Sequence, residues 1–492
     1  MNYISTRGKS APVSAAQAIK QGIAPDGGLY MPETIPSLSS DDLKELCSLS
    51  YSERAARIMS LFLTDYTYEE LLADCSVAYG DNFDGYAAPV VSVGERARIL
   101  ELWHGPTCAF KDMALQIMPR LLSRALVKTG EERTALILVA TSGDTGKAAL
   151  EGYRDVERIK ISVYYPVDGV SRAQKLQMTT QEGENVNVCA INGNFDDAQN
   201  GVKRIFADRE FAAELDKKGY FLSSANSINW GRLVPQTVYY ISAWCDLVNK
   251  GDISFDEKID VCVPTGNFGN ILAAFIAKKM GLPVGRFICA SNSNNVLTDF
   301  FANGVYDRNR EFHLTISPSM DILISSNLER LLFLTAGSEK TAAYMKSLID
   351  TGRYELDKAD HEKISEEFVG YYASEDACRK EIKDTFDKYS YLIDTHTAVA
   401  VSCANKYLAD YADAEKKTVI ASTASPYKFA PSVAGALGIE IPETDAEIFD
   451  ALSKKTSTAI PSQLSAVLTK EIRFKKVIDP EDMKASVLDF IS

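Results

Sequence analysis

Between about residue 100 and residue 290 the chain alternates short apolar runs with stretches in which apolar residues recur every three or four positions. The runs 134–140, 159–165, 186–191, 258–264 and 286–290 are rich in β-branched residues and too short for core helices, so they predict buried strands. The stretches 147–153, 171–179 and 270–280 predict helices. Strand, loop and helix repeated in this order is the pattern of parallel α/β structure covered on both faces. Residues 1–90 read differently. Pro and Gly punctuate 24–32, and segments such as 43–48 and 55–62 then carry the helical period, which predicts a mainly helical N-terminal region. Residues 340–390 are charged and rich in helix formers, so exposed helices added to the framework are expected there. The division expected is a helical region over 1–90, an α/β lobe over 91–250 and a second α/β lobe with added helices over 251–492, the two lobes interleaved. No fixed-period repeat or low-complexity tract is present, which argues against a solenoid.

Composition narrows this picture. A chain of 492 residues, 46% of them hydrophobic, can fill the cores of two or three domains. No apolar run has the length of a membrane span, and the first residues lack the regions of a secretory signal, so a soluble, cytoplasmic protein without a membrane partner is expected. Nine cysteines stand singly, with no Cys-x-x-Cys pair and no neighbouring histidines, which predicts buried reduced thiols and no metal site. A net charge of −14 argues against nucleic acid as a partner, because phosphate backbones demand a basic face. Any anionic ligand must then be held in a local pocket.

Two strand-to-helix turns offer such pockets: Thr141-Ser-Gly-Asp-Thr-Gly146 and Thr265-Gly-Asn-Phe-Gly-Asn270. In open α/β sheets ligands sit at the carboxyl ends of strands, where glycines admit the backbone and a helix N-terminus offers free N–H groups. Neither turn is a nucleotide fingerprint. The first has Thr141 and Ala148 where a P-loop needs Gly and Ser or Thr, and the second has Asn267 where a dinucleotide loop needs its middle glycine. Ordinary tight turns would account for either one alone.

The third feature is Lys111 in His104-Gly-Pro-Thr-Cys-Ala-Phe-Lys-Asp112, flanked by Ala109, Phe110 and Met113-Ala-Leu115. Most lysines are solvated surface charges, but apolar neighbours desolvate the amine and favour its neutral, nucleophilic form. A nucleophilic lysine and a separate phosphate cradle are what an enzyme needs to hold pyridoxal 5′-phosphate, which suggests that Lys111 is a Schiff-base lysine. Of the four histidines, His104 lies in the lysine motif and His396 in Ile393-Asp-Thr-His-Thr-Ala-Val399, whereas His313 and His361 read as structural.

These motifs, with Tyr3-Ile-Ser-Thr-Arg-Gly8, Gly22-Ile-Ala-Pro-Asp-Gly-Gly-Leu-Tyr30, Ser224-Ala-Asn-Ser-Ile-Asn229 plus Arg232, and Ser422-Thr-Ala-Ser-Pro-Tyr-Lys-Phe429, occur in an order that resembles the threonine synthases over nearly the whole chain. These belong to the tryptophan-synthase-β-like, fold type II pyridoxal-phosphate enzymes. The resemblance implies that Lys111 carries the cofactor and that the backbone of Gly266, Asn267, Phe268, Gly269 and Asn270 holds its phosphate. It also implies that Thr423 hydrogen-bonds the pyridine nitrogen. Ser142, Asp144 and Thr145 would meet the substrate, with Asn226, Ser227, Asn229 and Arg232 as further anion contacts, and Arg7 would also reach the site. Three positions depart from the family pattern: Thr395 for a proline, Ser425-Pro-Tyr for His-Pro-Ala, and Lys147 where a small residue is usual.

The reaction implied converts O-phospho-L-homoserine and water to L-threonine and phosphate, by γ-elimination and β-hydration, in a monomer or homodimer whose lobes move on substrate binding. A related phospholyase or a threonine or serine dehydratase would use the same lysine and cradle, and an inactive anion-binding protein could retain the scaffold.

Overall fold

Apolar, β-branched runs that are buried on both faces build the two main sheets, and the computed structural model describes every residue except Ser142, Gly169 and 412–415. One sheet has five parallel strands in the order Val477–Ile478, Val186–Ile191, Ile159–Pro166, Thr134–Ala140, Tyr220–Ser223. The other has six, in the order Phe368–Tyr372, Val284–Ser291, Ile259–Pro264, Thr418–Ser422, Ala97–Glu101, Val90–Val93, all parallel except the last pair. The strands of the second sheet lie before and after the segment 134–223, which supplies four strands of the first; the fifth, Val477–Ile478, comes last in the chain. The chain therefore enters the six-stranded sheet, leaves it to build most of the five-stranded one, returns, and finally adds an edge strand to the five-stranded sheet.

The predicted strands are found within one or two residues of their expected limits, and the predicted helices are Asp144–Tyr153, Arg172–Thr179 and Gly269–Lys279. Each of the last two begins where the sequence says it should. Ser171 caps the first through a capping box with Gln174, and a glycine-rich turn opens the second. The charged region 340–390 holds the expected helices, Leu328–Thr351 and Glu375–Tyr389 among them, but also the strand Phe368–Tyr372. This five-residue aromatic and β-branched run lies between two helices and pairs only with Val284–Ser291 at the sheet edge, so the surrounding charge hides its period.

The N-terminal region contributes Ser40–Ser48, Tyr51–Phe62 and Tyr68–Ala78, each opened by a capping box. A small antiparallel pair, Tyr3–Ser5 with Tyr30–Pro32, precedes them. Ser40–Ser48 and Tyr51–Phe62 pack on the helix Trp230–Asn249, which is buried along almost its whole length, and Tyr68–Ala78 packs on Tyr51–Phe62. No helix among the described residues is long and apolar enough to cross a membrane. The nine cysteines are unpaired, and all but Cys47 are buried.

Candidate active site

Three neighbouring parallel strands, Ile259–Pro264, Thr418–Ser422 and Ala97–Glu101, end on the same edge of the six-stranded sheet. The loops that follow them contain the Gly266–Asn270 turn, Thr423 and Lys111. Backbone hydrogen bonds sew the last two together: Leu102 N–H to Ser422 O (3.0 Å), Phe110 N–H to Thr423 O (2.8 Å) and Ser425 N–H to Cys108 O (3.0 Å). Parallel register thus places side by side two segments more than three hundred residues apart.

Lys111 precedes the one-turn helix Asp112–Leu115, and its side chain is 11% exposed. Its Nζ lies over the Phe110 ring, 4.8 Å from the centroid, and 3.9 Å from Asp144 Oδ2. Burial pushes the amine down, Asp144 opposes this, and Lys428 and Arg232 push it down further, to about 8. An ordinary lysine would be almost fully charged where this one is half neutral.

The Gly266–Asn270 turn has the form of an anion cradle. Phe268 adopts a left-handed conformation (φ 64°) just before the helix Gly269–Lys279, so successive N–H groups turn toward one point. None of the N–H groups of residues 266–270 has an acceptor among the described residues. The amide nitrogen of Asn270 is also buried without a partner, while its Oδ1 accepts from Tyr240. The rim is fixed from outside: Ser325 donates to Gly266 O (2.7 Å), and the backbone and side chain of Asn327 both donate to Asn267 O (3.0 and 3.1 Å). A Cβ on Gly266 would come within 2.6 Å of Ser319 O, so the turn has no room for a side chain there. Orphaned donors at a helix N-terminus are the chemistry a phosphate monoester completes, and the pyridoxal-phosphate site inferred from the sequence fits these residues.

Asp144 opens the helix after the other turn, and Thr141 Oγ1 accepts from the N–H groups of Gly143 and Gly146 (3.0 and 2.9 Å). Its carboxylate is buried. Burial alone would push it up, but Lys428 and Lys111 hold it well below the usual carboxylate range. Thr145 is the next residue of the helix and half-buried, and Ser142 lies outside the described residues.

Arg232 lies in the first turn of Trp230–Asn249 and acts on the charge of Lys111. It is buried, has no carboxylate within ion-pairing reach among the described residues, and donates only to Ala225 O (2.6 Å), leaving Nε unpartnered. Burial pushes the guanidinium down to about 10, and Tyr153 opposes this. Ser227 Oγ is likewise buried without a partner. Asn229 has both ends of its amide engaged, capping the helix at Gly231 N–H (2.9 Å) and donating to Ile19 O (2.8 Å). Asn226 is exposed and accepts from Ser227 N–H (3.1 Å). Arg7, expected to reach the site, instead forks onto Glu329 (3.0 Å for each bond), which also accepts from Thr6 (2.6 Å). Its charge is therefore already committed.

Several residues emerge to which the sequence alone assigns no role. Lys428 is wholly buried against Asp144 Oδ1 (2.7 Å) and Thr107 O (2.8 Å), and Gln174 donates to the same carboxylate oxygen (2.8 Å). Arg330, also wholly buried, clamps Tyr30 O, Ile228 O and Asn327, which ties the N-terminal pair to the rim of the cradle. His396 holds Asp394 through Nδ1 (2.8 Å) and accepts from Ser319 N–H through Nε2 (3.1 Å), which steadies the segment that walls Gly266. His104 bonds Glu101 (2.7 Å) and stacks on Trp103. The three departures are easily accommodated. Thr395 is the first residue of its helix, where proline is equally at home, Ser425 caps the turn Pro426–Phe429, and Lys147 pairs with Glu151 (2.9 Å).

Comparison with known proteins gives a consistent picture. The chain matches the families described as "Threonine synthase N terminus" over residues 2–79, "Pyridoxal-phosphate dependent enzyme" over 93–424 and "Threonine synthase, C-terminal" over 397–487. It is 36% identical to threonine synthase from Pseudomonas aeruginosa over 95% of this chain and 97% of that one. It is 43% identical to human threonine synthase-like 1 over 87% of this chain, and the match spans 59% of the length of that longer relative. The crystal structure of a PLP-bound threonine synthase from Brucella melitensis superposes with a TM-score of 0.89 at 34% identity, covering 100% of this chain and 99% of that one.

Proposed function

From a chain that belongs to the threonine synthase family of pyridoxal-phosphate-dependent enzymes, we propose an enzyme that converts O-phospho-L-homoserine and water to L-threonine and inorganic phosphate. The observation that carries this reading is Arg232: a buried guanidinium that acts on Lys111, has no carboxylate partner among the described residues, and makes no hydrogen bond to the 266–270 turn among them. A cofactor bearing one phosphate would fill the cradle and leave this cation unanswered. A phosphorylated substrate answers it.

Lys111 would hold the cofactor covalently, the N–H groups of 266–270 would take its phosphate, and Thr423 would face its ring nitrogen. Pyridoxal phosphate, when bound, supplies a reversible imine linkage and an electron-accepting ring that acidifies the hydrogens of the substrate carbon chain. The Lys111 amine, half neutral near pH 8, is the proton carrier within the site and serves Cα and Cβ in turn. Arg232, with Ser227 and the 226–229 backbone, orients the substrate phosphate and stabilises it as it leaves. The hydroxyls and amides of 142–145 hold the substrate carboxylate.

Product analysis tests the assignment. O-phosphohomoserine should yield threonine and phosphate in equal amounts. A keto acid with ammonia, or phosphate with a product other than threonine, would place the chain among the related lyases instead. That second reading is favoured by the higher identity to threonine synthase-like 1 than to the proteins named threonine synthase. Gly266→Ala should weaken pyridoxal-phosphate affinity about ten-fold, because the added methyl must push the turn away from Ser319 O. Fluorescence titration of the stripped protein would measure this, and unchanged affinity would remove the turn from the cofactor site.

A further inference from the structure

One buried carboxylate, Asp144, stands between two buried lysines. Lys428 Nζ is 2.7 Å from Oδ1, whereas Lys111 Nζ is 3.9 Å from Oδ2. The first is a direct, charge-assisted hydrogen bond and the second is too long to be one. Lys428 is held in this place by its own elements. It projects from the short turn Pro426–Phe429, which Ser425 N–H anchors to Cys108 O, and it donates a second bond to Thr107 O (2.8 Å). Thr107 in turn gives its N–H and its hydroxyl to Asp112, each at 2.8 Å. Gln174, from the helix Arg172–Thr179, shares Oδ1 with Lys428 and fixes the carboxylate from the other side.

A buried carboxylate requires a cation, and with two lysines in reach the question is which one supplies it. We propose that Lys428 is a positioning residue that serves as the dedicated counter-ion of Asp144 and thereby leaves Lys111 free as a neutral nucleophile. If Lys428 did not occupy Oδ1, Asp144 would draw a proton onto Lys111, and the amine would be trapped in an ion pair. The inference rests on the reading of Lys111 as the imine-forming lysine, and it adds a role that no motif suggested. The charged groups facing Lys111 are Asp144, Lys428, Arg232 and Asp112, all buried. Only Asp144 and Lys428 are exchanged in the test.

The full-length chain, stripped of cofactor with hydroxylamine, is labelled with trace acetic anhydride across a pH series, and acetylation of the peptide containing Lys111 is followed by mass spectrometry. Wild type should show a midpoint of about 8. Lys428→Met should label about ten-fold more slowly at pH 8, as its midpoint moves above 9. Lys428→Arg should retain the wild-type profile, and Asp144→Asn/Lys428→Met should label at least as fast as wild type. A purely structural role for Lys428 predicts the same midpoint in Lys428→Met as in wild type. Should Lys428→Met not fold, Lys428→Gln decides: its midpoint must rise above that of wild type. An unchanged midpoint in Lys428→Met or Lys428→Gln, or a double variant as slow as Lys428→Met, overturns the proposal. No substrate or cofactor enters this measurement, so its failure is distinct from a failure of the product assay.

Discussion

Lys111→Ala is expected to lower kcat by about 10³-fold or more while the protein stays folded and still takes up pyridoxal phosphate weakly. The expectation follows from two separate features. The phosphate cradle at 266–270 is built and braced without Lys111, through Ser325, Asn327 and the helix Gly269–Lys279, so binding through the phosphate survives. The amine, in contrast, has no understudy. The nearby cation Lys428 is tied to Asp144 and Thr107, and Arg232 does not give up a proton near neutral pH. Steady-state phosphate release, together with equilibrium dialysis of the cofactor, would check both halves. Retention of a tenth of the wild-type kcat would remove Lys111 from the chemistry.

Arg232→Met is expected to reduce kcat/KM about 10²- to 10³-fold, the usual cost of removing one donor that stabilises departing charge. It should also leave the folded protein as stable as wild type or more so. The reason is that Arg232 has no counter-ion among the described residues and keeps Nε unpartnered, so methionine retains the buried stem and removes an uncompensated charge. Opposite signs for stability and activity are the signature of a cation kept for its ligand. A clear fall in Tm with unchanged kcat/KM would instead make Arg232 a structural residue.

Much of this was legible in the sequence. The strands 134–140, 159–165 and 258–264 declare themselves because parallel strands buried on both faces are continuous apolar runs, and both glycine turns fall at their carboxyl ends. Lys111 and Thr423 could be paired only through family resemblance. Their segments meet, through Phe110 N–H and Thr423 O, only because Ala97–Glu101 and Thr418–Ser422 are neighbours, and no local period encodes that. Lys428 and Arg330 were illegible for a related reason. Their partners are backbone carbonyls and a carboxylate from remote segments, and nothing in a residue's own neighbourhood records which distant oxygen it will meet. Arg7, which the resemblance brings to the site, gives both arms of its guanidinium to Glu329, more than three hundred residues away, a partner that no local pattern announces. Asn229 is an anion contact by the same resemblance, and in the fold its amide caps a helix and holds Ile19 O, as Asn does at many N-caps.

The central claim is that one buried, partly neutral amine carries the cofactor, and it can be tested on the wild-type protein alone. The holoenzyme is reduced with sodium borohydride, digested, and mapped by mass spectrometry for a phosphopyridoxyl group. The account predicts a single modified residue, Lys111, with Lys147 and Lys428 unlabelled. A label elsewhere, or none at all, would contradict it.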